Sequence, residues 1–118
     1  IKLQIYKLEE LDFYSQVNLM ANTDILIGVH GNGLTNLLWL PKHASVLEIF
    51  DKSFHHYDYQ IFSEIANLNY LGFCGSQLWK NGDRMGPVFG KNTRIPVKLN
   101  NDLFINEFQK LILKSIHS

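Results

Sequence analysis

Three features of the sequence predict an α/β domain with a mostly parallel sheet. Strand-like and helix-like stretches alternate along the chain, the order that produces parallel sheets. The run Ile25-Leu26-Ile27-Gly28-Val29 is continuously apolar, as in a strand buried on both faces. That run leads through Gly31 and Gly33 directly into a helical stretch, the strand-turn-helix passage of an α/β unit.

The elements follow in order. Lys2 to Lys7 alternates weakly and reads as a strand. Glu9 to Asn22 reads as a helix, with Leu8, Leu11, Tyr14, Val17 and Met20 or Ala21 at helical spacing. Glu9 and Glu10 fall in its first turn, where the helix dipole favours acids. After the strand Ile25 to Val29 comes a short helix, Gly33 to Leu40, and then a strand, Ala44 to Phe50. Tyr57, Ile61, Ile65 and Leu68 mark the buried face of the next helix, and Tyr70 to Phe73 a short strand. From Gly75 to Asn92 repeated glycines and Pro87 break every period, so this stretch reads as a loop. Ile95 to Leu99 reads as a last strand. A closing helix, capped by Asn101 or Asp102, buries Phe104, Phe108, Leu111 and Ile112. Residues 1–118 form one domain with no internal repeat.

Composition narrows the function classes. Hydrophobic residues at 46% and charged residues at 19% describe an ordinary globular domain. Lys plus Arg and Asp plus Glu both number 11, and the basic residues are scattered. That balance argues against nucleic acid as a partner. Cys74 is the only cysteine, which excludes an internal disulfide and a cysteine-based metal site. The chain starts inside a strand-like pattern and without Met, so it is read as a piece of a longer protein.

The chemistry concentrates at the end of the Ile25–Val29 strand. His30-Gly31-Asn32-Gly33-Leu34-Thr35 follows it. The first N–H groups of a helix lack intrahelical partners and sit at its positive end, where they hold anions such as phosphate. Gly31 and Gly33 would let the backbone approach such an anion closely. In open parallel sheets, ligands bind outside the carboxyl ends of the strands. The same turn also serves α/β folds that bind nothing, and it matches neither Gly-x-Gly-x-x-Gly nor a P-loop. His30 can donate to a ligand or act as an acid or base, or simply bond a nearby carbonyl. Thr35 can bond a phosphate oxygen or cap the helix. Glu48 interrupts the apolar strand Val46-Leu47-Glu48-Ile49-Phe50. A carboxylate there needs a partner or an opening; a ribose diol and plain solvent are the two readings.

The run Asn22 to Pro41, with Ser45-Val46-Leu47-Glu48-Ile49-Phe50 downstream, resembles glycosyltransferase family 61. That family includes the EGF-domain O-linked N-acetylglucosamine transferases and plant β-1,2-xylosyltransferases. Gln16 and the passage Ile65 to Tyr70 also fit it. The resemblance implies a Rossmann-like, donor-binding carboxyl-terminal half of an inverting enzyme of GT-B architecture. The donor would be a UDP-sugar of the N-acetylglucosamine or xylose class, and the acceptor a hydroxyl on a glycan or glycoprotein. His30 would be catalytic. Gly31, Asn32, Gly33, Leu34 and Thr35 would line the diphosphate, and Glu48 would bind the ribose. No metal site and no tightly bound cofactor are implied, and the fragment alone would be inactive without the missing amino-terminal half. The implied compartment is the endoplasmic reticulum or Golgi lumen. Two positions depart from the family: Asn32 stands where Ala is usual, and Pro41-Lys42-His43 where Gly is usual. His43 would be strained if that turn needs positive φ.

Three further groups carry side chains with possible chemistry. His55, His56 and Asp58 form a conceivable metal group that reads better as a solvated helix start. Trp79 could stack on a sugar and Arg84 could grip a phosphate, or each could serve the loop. A non-catalytic nucleotide- or anion-binding module is the alternative to an enzyme. An esterase is disfavoured because no Gly-x-Ser-x-Gly turn is present.

Overall fold

The computed structural model describes residues 2–52, 57–84 and 95–117. Four strands form one sheet in the order β1-β2-β3-β4: Ile25–Val29, Ser45–Ile49, Asn69–Cys74 and Gln77–Lys80. The first three are parallel, and β4 returns antiparallel to β3. Helices α1 (Phe13–Ala21), α2 (Asp58–Ile65) and α3 (Asn101–His117) flank the sheet.

Strand alternation sorts the side chains onto two faces. Leu26, Val46, Phe50, Tyr70, Cys74 and Trp79 pack with Met20, Leu34, Leu37 and Tyr59 beneath α1, α2 and the loop between β1 and β2. Ile25, Ile27, Leu47, Leu71 and Phe73 pack on the opposite face with Leu103, Phe104, Phe108 and Leu111 of α3. The predicted stripe of the closing helix is therefore the one that covers the sheet. Its cap lies one residue earlier than the sequence indicates: Asn100 Oδ1 accepts from the Leu103 N–H at 3.1 Å.

Several elements differ from the sequence reading. Lys2 to Lys7 forms no strand and is exposed, with Ile5 93% accessible. Glu9 and Glu10 lie in a 3-10 turn, Leu8–Glu10, and α1 begins afterwards at Phe13. Asp12 supplies the cap, its Oδ1 accepting from the Ser15 N–H at 2.7 Å. Gln16 ties the turn to the helix, donating at 2.8 Å to the carbonyls of both Leu8 and Leu11. The helix after β1 is a 3-10 helix, Asn32–Trp39.

The face assigned to α2 holds only in part: Leu68 is in the core and Tyr57 half-buried, but the isoleucines point outward. Ile61 and Ile65 are 40% and 75% accessible, whereas Tyr59, Gln60 and Ser63 are buried. Polar anchoring decides the orientation. Gln60 Nε2 donates to the carbonyls of Lys80 and Asp83 at 3.1 and 2.9 Å, and Ser63 Oγ donates back to Tyr59 at 2.6 Å. Apolar periodicity does not register such bonds.

The stretch from Gly75 is a hairpin before it is a loop. Gly75 turns at φ +58 and lets β4 fold back on β3. Residues 85–92 of the predicted loop lie outside the described residues. Ile95 to Leu99 contributes one isolated bridge, Lys52 with Pro96, and not a strand. The turn before β2 does use positive φ, at His43 (φ 71), where the sequence foresees strain.

Candidate functional site

The loop after β1 and the carboxyl half of β2 meet on the α1/α2 face of the sheet. Register places Gly28, Glu48, Gly72 and Trp79 in one row across the four strands. The two glycines make room for bulk from elsewhere. A Cβ on Gly28 would come within 2.9 Å of Leu34 Cδ2, and one on Gly72 within 2.3 Å of the Trp79 ring. Glu48 thus sits between Leu34 and Trp79 in the core, with no accessible surface.

Both carboxylate oxygens are occupied. Oε2 lies 2.5 Å from His30 Nδ1, and Oε1 accepts from the Tyr70 hydroxyl. Burial raises the Glu48 pKa, while the bonds from Tyr70 and His30 pull it down. Tyr70, itself fully buried, is also raised by burial and by the charge of Glu48. The carboxylate has no accessible surface, so the reading of Glu48 as facing plain solvent does not hold. Its partners are His30 and Tyr70.

His30 continues β1, its N–H donating to the Ile49 carbonyl at 2.8 Å. The ring stacks on Phe50 with centroids 4.8 Å apart and meets Tyr59 edge-on at 5.4 Å. Its side chain remains 18% accessible. The imidazole is therefore gripped on two faces and at Nδ1 while one part reaches the surface.

The backbone then passes to the 3-10 helix. Gly31 is extended at φ 162, and neither Gly31 nor Gly33 adopts the left-handed region. Conformational freedom is therefore not the reason for these glycines. Packing is not the reason either: a Cβ at Gly31 would meet nothing closer than 3.8 Å, and one at Gly33 nothing closer than 4.0 Å. What they leave is bare backbone at a helix start. Leu34 N–H already donates to the Gly31 carbonyl at 3.0 Å, and its side chain is in the core. The Asn32 and Gly33 N–H groups, ahead of that first helical bond, have no intrahelical partner by helix geometry. Thr35 is exposed on the first turn.

Sequence reasoning missed Tyr70, Tyr59 and Phe50 as neighbours of His30. Tyr70 lies two residues short of Gly72, the register partner of Glu48, and register between parallel strands is not legible without the fold. Trp79 is 2% accessible and packs on Phe50 at 5.3 Å, so it is a core residue and not a sugar platform. Arg84 is engaged by Glu64, with Nη2 2.5 Å from Oε1 and Nη1 3.1 Å from Oε2. His55 and His56 lie outside the described residues, and Asp58 opens α2. Among the described residues, no group of three or more His, Cys, Asp or Glu could hold a metal ion. No helix among them is long and apolar enough to cross a membrane.

An open cavity of about 600 Å³ lies at the other ends of the strands, lined by His43, Ser45, Asn69 and Asn81 among others. Its amides already bond locally, Asn69 to Ser45 and Asn81 to the Leu68 carbonyl. Glu64, on its rim, is held down to about 2 by Arg84 first and the Gly82 N–H second. Its folded value lies below the ordinary 4.5. The stabilisation is therefore present above 4.5 and lost as pH falls toward 2. Carboxyl ¹³C titration of Glu64 is expected to find a midpoint near 2, rising toward 4.5 in Arg84→Ala.

Comparison with known proteins converges on one family. The family description "Glycosyltransferase 61" matches residues 1–47, which hold β1 and the His30 loop. The EGF domain-specific O-linked N-acetylglucosamine transferase of Mus musculus is 30% identical over 119 residues, covering 98% of this chain and 21% of that protein. The Xenopus laevis protein of the same name is 34% identical over 87 residues, 74% of this chain and 15% of that protein. That of Drosophila melanogaster is 35% identical over 79 residues, 67% of this chain and 14% of that protein. The chain thus spans about a fifth of the length of its mouse relative. No solved structure matches. The similarity runs through the His30 loop, the strands on either side of it and the helices that cover them, and the chain belongs to glycosyltransferase family 61.

Proposed function

We propose that this chain is the donor-binding part of a glycosyltransferase that uses a UDP-sugar, one Rossmann-like half of a GT-B enzyme. The observation that carries this reading is the open space at Gly31 and Gly33 beside the partly exposed His30 at the carboxyl end of β1. Glycines that neither the backbone conformation nor the packing requires leave space for something that lies against them. The Asn32 and Gly33 N–H groups would accept a diphosphate there. The named relatives transfer N-acetylglucosamine, which makes that sugar the first candidate and xylose the second.

The expected chemistry is direct displacement. An acceptor hydroxyl on a glycan or glycoprotein attacks the anomeric carbon, the bond from that carbon to the diphosphate oxygen breaks, and the acceptor's proton passes to a base outside this chain. Negative charge develops on the leaving diphosphate, and donors already aimed at it lower the barrier. Here those donors are the loop N–H groups and the Thr35 hydroxyl. A place in the secretory pathway goes with this reading, as does an amino-terminal half that completes the cleft.

Substitution of the glycines tests it. Gly31→Ala and Gly33→Ala each meet only ordinary contacts, so stability should change by less than about 1 kcal/mol. UDP affinity should nevertheless fall at least ~10-fold, about 1.4 kcal/mol, in isothermal titration. Unchanged affinity in both variants would remove the loop from the donor site and favour a non-catalytic module.

A further inference from the structure

We propose that Glu48, braced by Tyr70, positions His30 for the transfer reaction: it accepts a hydrogen bond from Nδ1–H and so sets which ring nitrogen carries the proton. This rests on the donor-site reading above and deepens it. Packing alone gives little reason for a carboxylate at position 48. It lies in the core between two glycine positions, with no accessible surface. An ionised carboxylate without partners would cost several kcal/mol there, and well-packed apolar residues in place of such a pair are often neutral or stabilising. A leucine in that strand would serve packing alone.

Geometry explains the carboxylate. Its two oxygens divide between two donors, Tyr70 on Oε1 and His30 Nδ1 on Oε2 at 2.5 Å. A neutral imidazole carries one proton, and the bond made by one nitrogen decides which nitrogen holds it. An ionised carboxylate only accepts, so with Glu48 ionised Nδ1 is the donor and Nε2 the acceptor. Phe50 and Tyr59 fix the plane of the ring. Tyr59 and Asp58 also face Glu48 electrostatically, and both are on α2. Glu48 does not touch substrate; it acts through His30.

The test reads the tautomer directly. In the ¹⁵N-histidine-labelled chain near neutral pH, ring ¹H–¹⁵N correlations of His30 should show the Nδ1–H form, the minor one in free histidine. In Glu48→Gln the amide has one acceptor and one donor. With Tyr70 on the acceptor, the NH₂ faces Nδ1, and the signals should move to predominantly Nε2–H. Tyr70→Phe, which keeps the carboxylate, should retain Nδ1–H. A purely structural Glu48 would alter melting without moving the tautomer. An Nε2–H form in the unsubstituted chain would overturn the positioning role, and that measurement needs no variant to fold. A folded Glu48→Gln with unchanged ring signals would overturn it as well. These readouts use no nucleotide, so they fail separately from the donor-site reading, which falls if UDP does not bind.

Discussion

Gly72→Ala is expected to destabilise the domain by about 3 kcal/mol, lowering its melting midpoint by roughly 10 °C. The added Cβ would stand 2.3 Å from Trp79 Cε2 and 2.5 Å from both Cζ2 and Nε1. None of these atoms is the free end of a flexible chain. The indole is 2% accessible and held against Phe50 at 5.3 Å. Moving it pushes on Phe50, which carries the His30 ring at 4.8 Å. Overpacking at this point therefore reaches the candidate site, and His30 ring resonances should shift with the melt. Differential scanning calorimetry, with Gly31→Ala as the well-tolerated control, measures the effect. A midpoint within a degree or two of the parent would mean that Trp79 does not cover Gly72.

Tyr70→Phe should destabilise by about 2 kcal/mol at neutral pH, the worth of a hydrogen bond to a charged group in the core. The size should depend on pH. Burial holds the Glu48 carboxyl above its ordinary 4.5, so folding favours its protonated form. That contribution is present below 4.5 and is lost as pH rises through the folded value. Removing the Tyr70 hydroxyl takes away the bond that lowers Glu48 most and pushes the folded value higher. The variant's deficit should be small near about pH 4, where Glu48 is protonated either way, and grow toward about pH 8. Urea unfolding of both chains across that range supplies the comparison. A deficit that does not change with pH would show that Glu48 keeps its proton throughout.

The parts of the fold visible in the sequence are those whose signal is local. Ile25–Val29 is recognisable because a strand buried on both faces needs an unbroken apolar run. Phe104, Phe108 and Leu111 are recognisable because a single helical stripe covers the sheet. The parts that were hidden depend on long-range partners. Ile61 and Ile65 carry the apolar period of α2, yet Gln60 sets its orientation through carbonyls of residues 80 and 83. The strand β4 was concealed by the glycines around it, and one of those, Gly75, makes its hairpin.

The candidate site divides the same way. His30, Gly31 and Gly33 were legible as a strand-turn-helix passage, although the physical reason for the glycines is open backbone and not positive φ. Glu48 was legible as an anomaly, since a carboxylate in an apolar strand demands a partner. Which partner was not legible. The register that aligns Glu48 with Gly28 and Gly72, and brings Tyr70 beneath it, exists only once three strands have paired.

The central claim is that the loop after β1 receives the diphosphate of a nucleotide-sugar. Titration of the ¹⁵N-labelled chain with UDP, followed by amide NMR, tests it most directly. The account predicts saturable shifts at Gly31, Asn32, Gly33 and Thr35 and at the His30 ring, with Asn69 and Asn81 at the far end of the sheet unmoved. Shifts at that far end, or none at the loop at millimolar UDP, would contradict it.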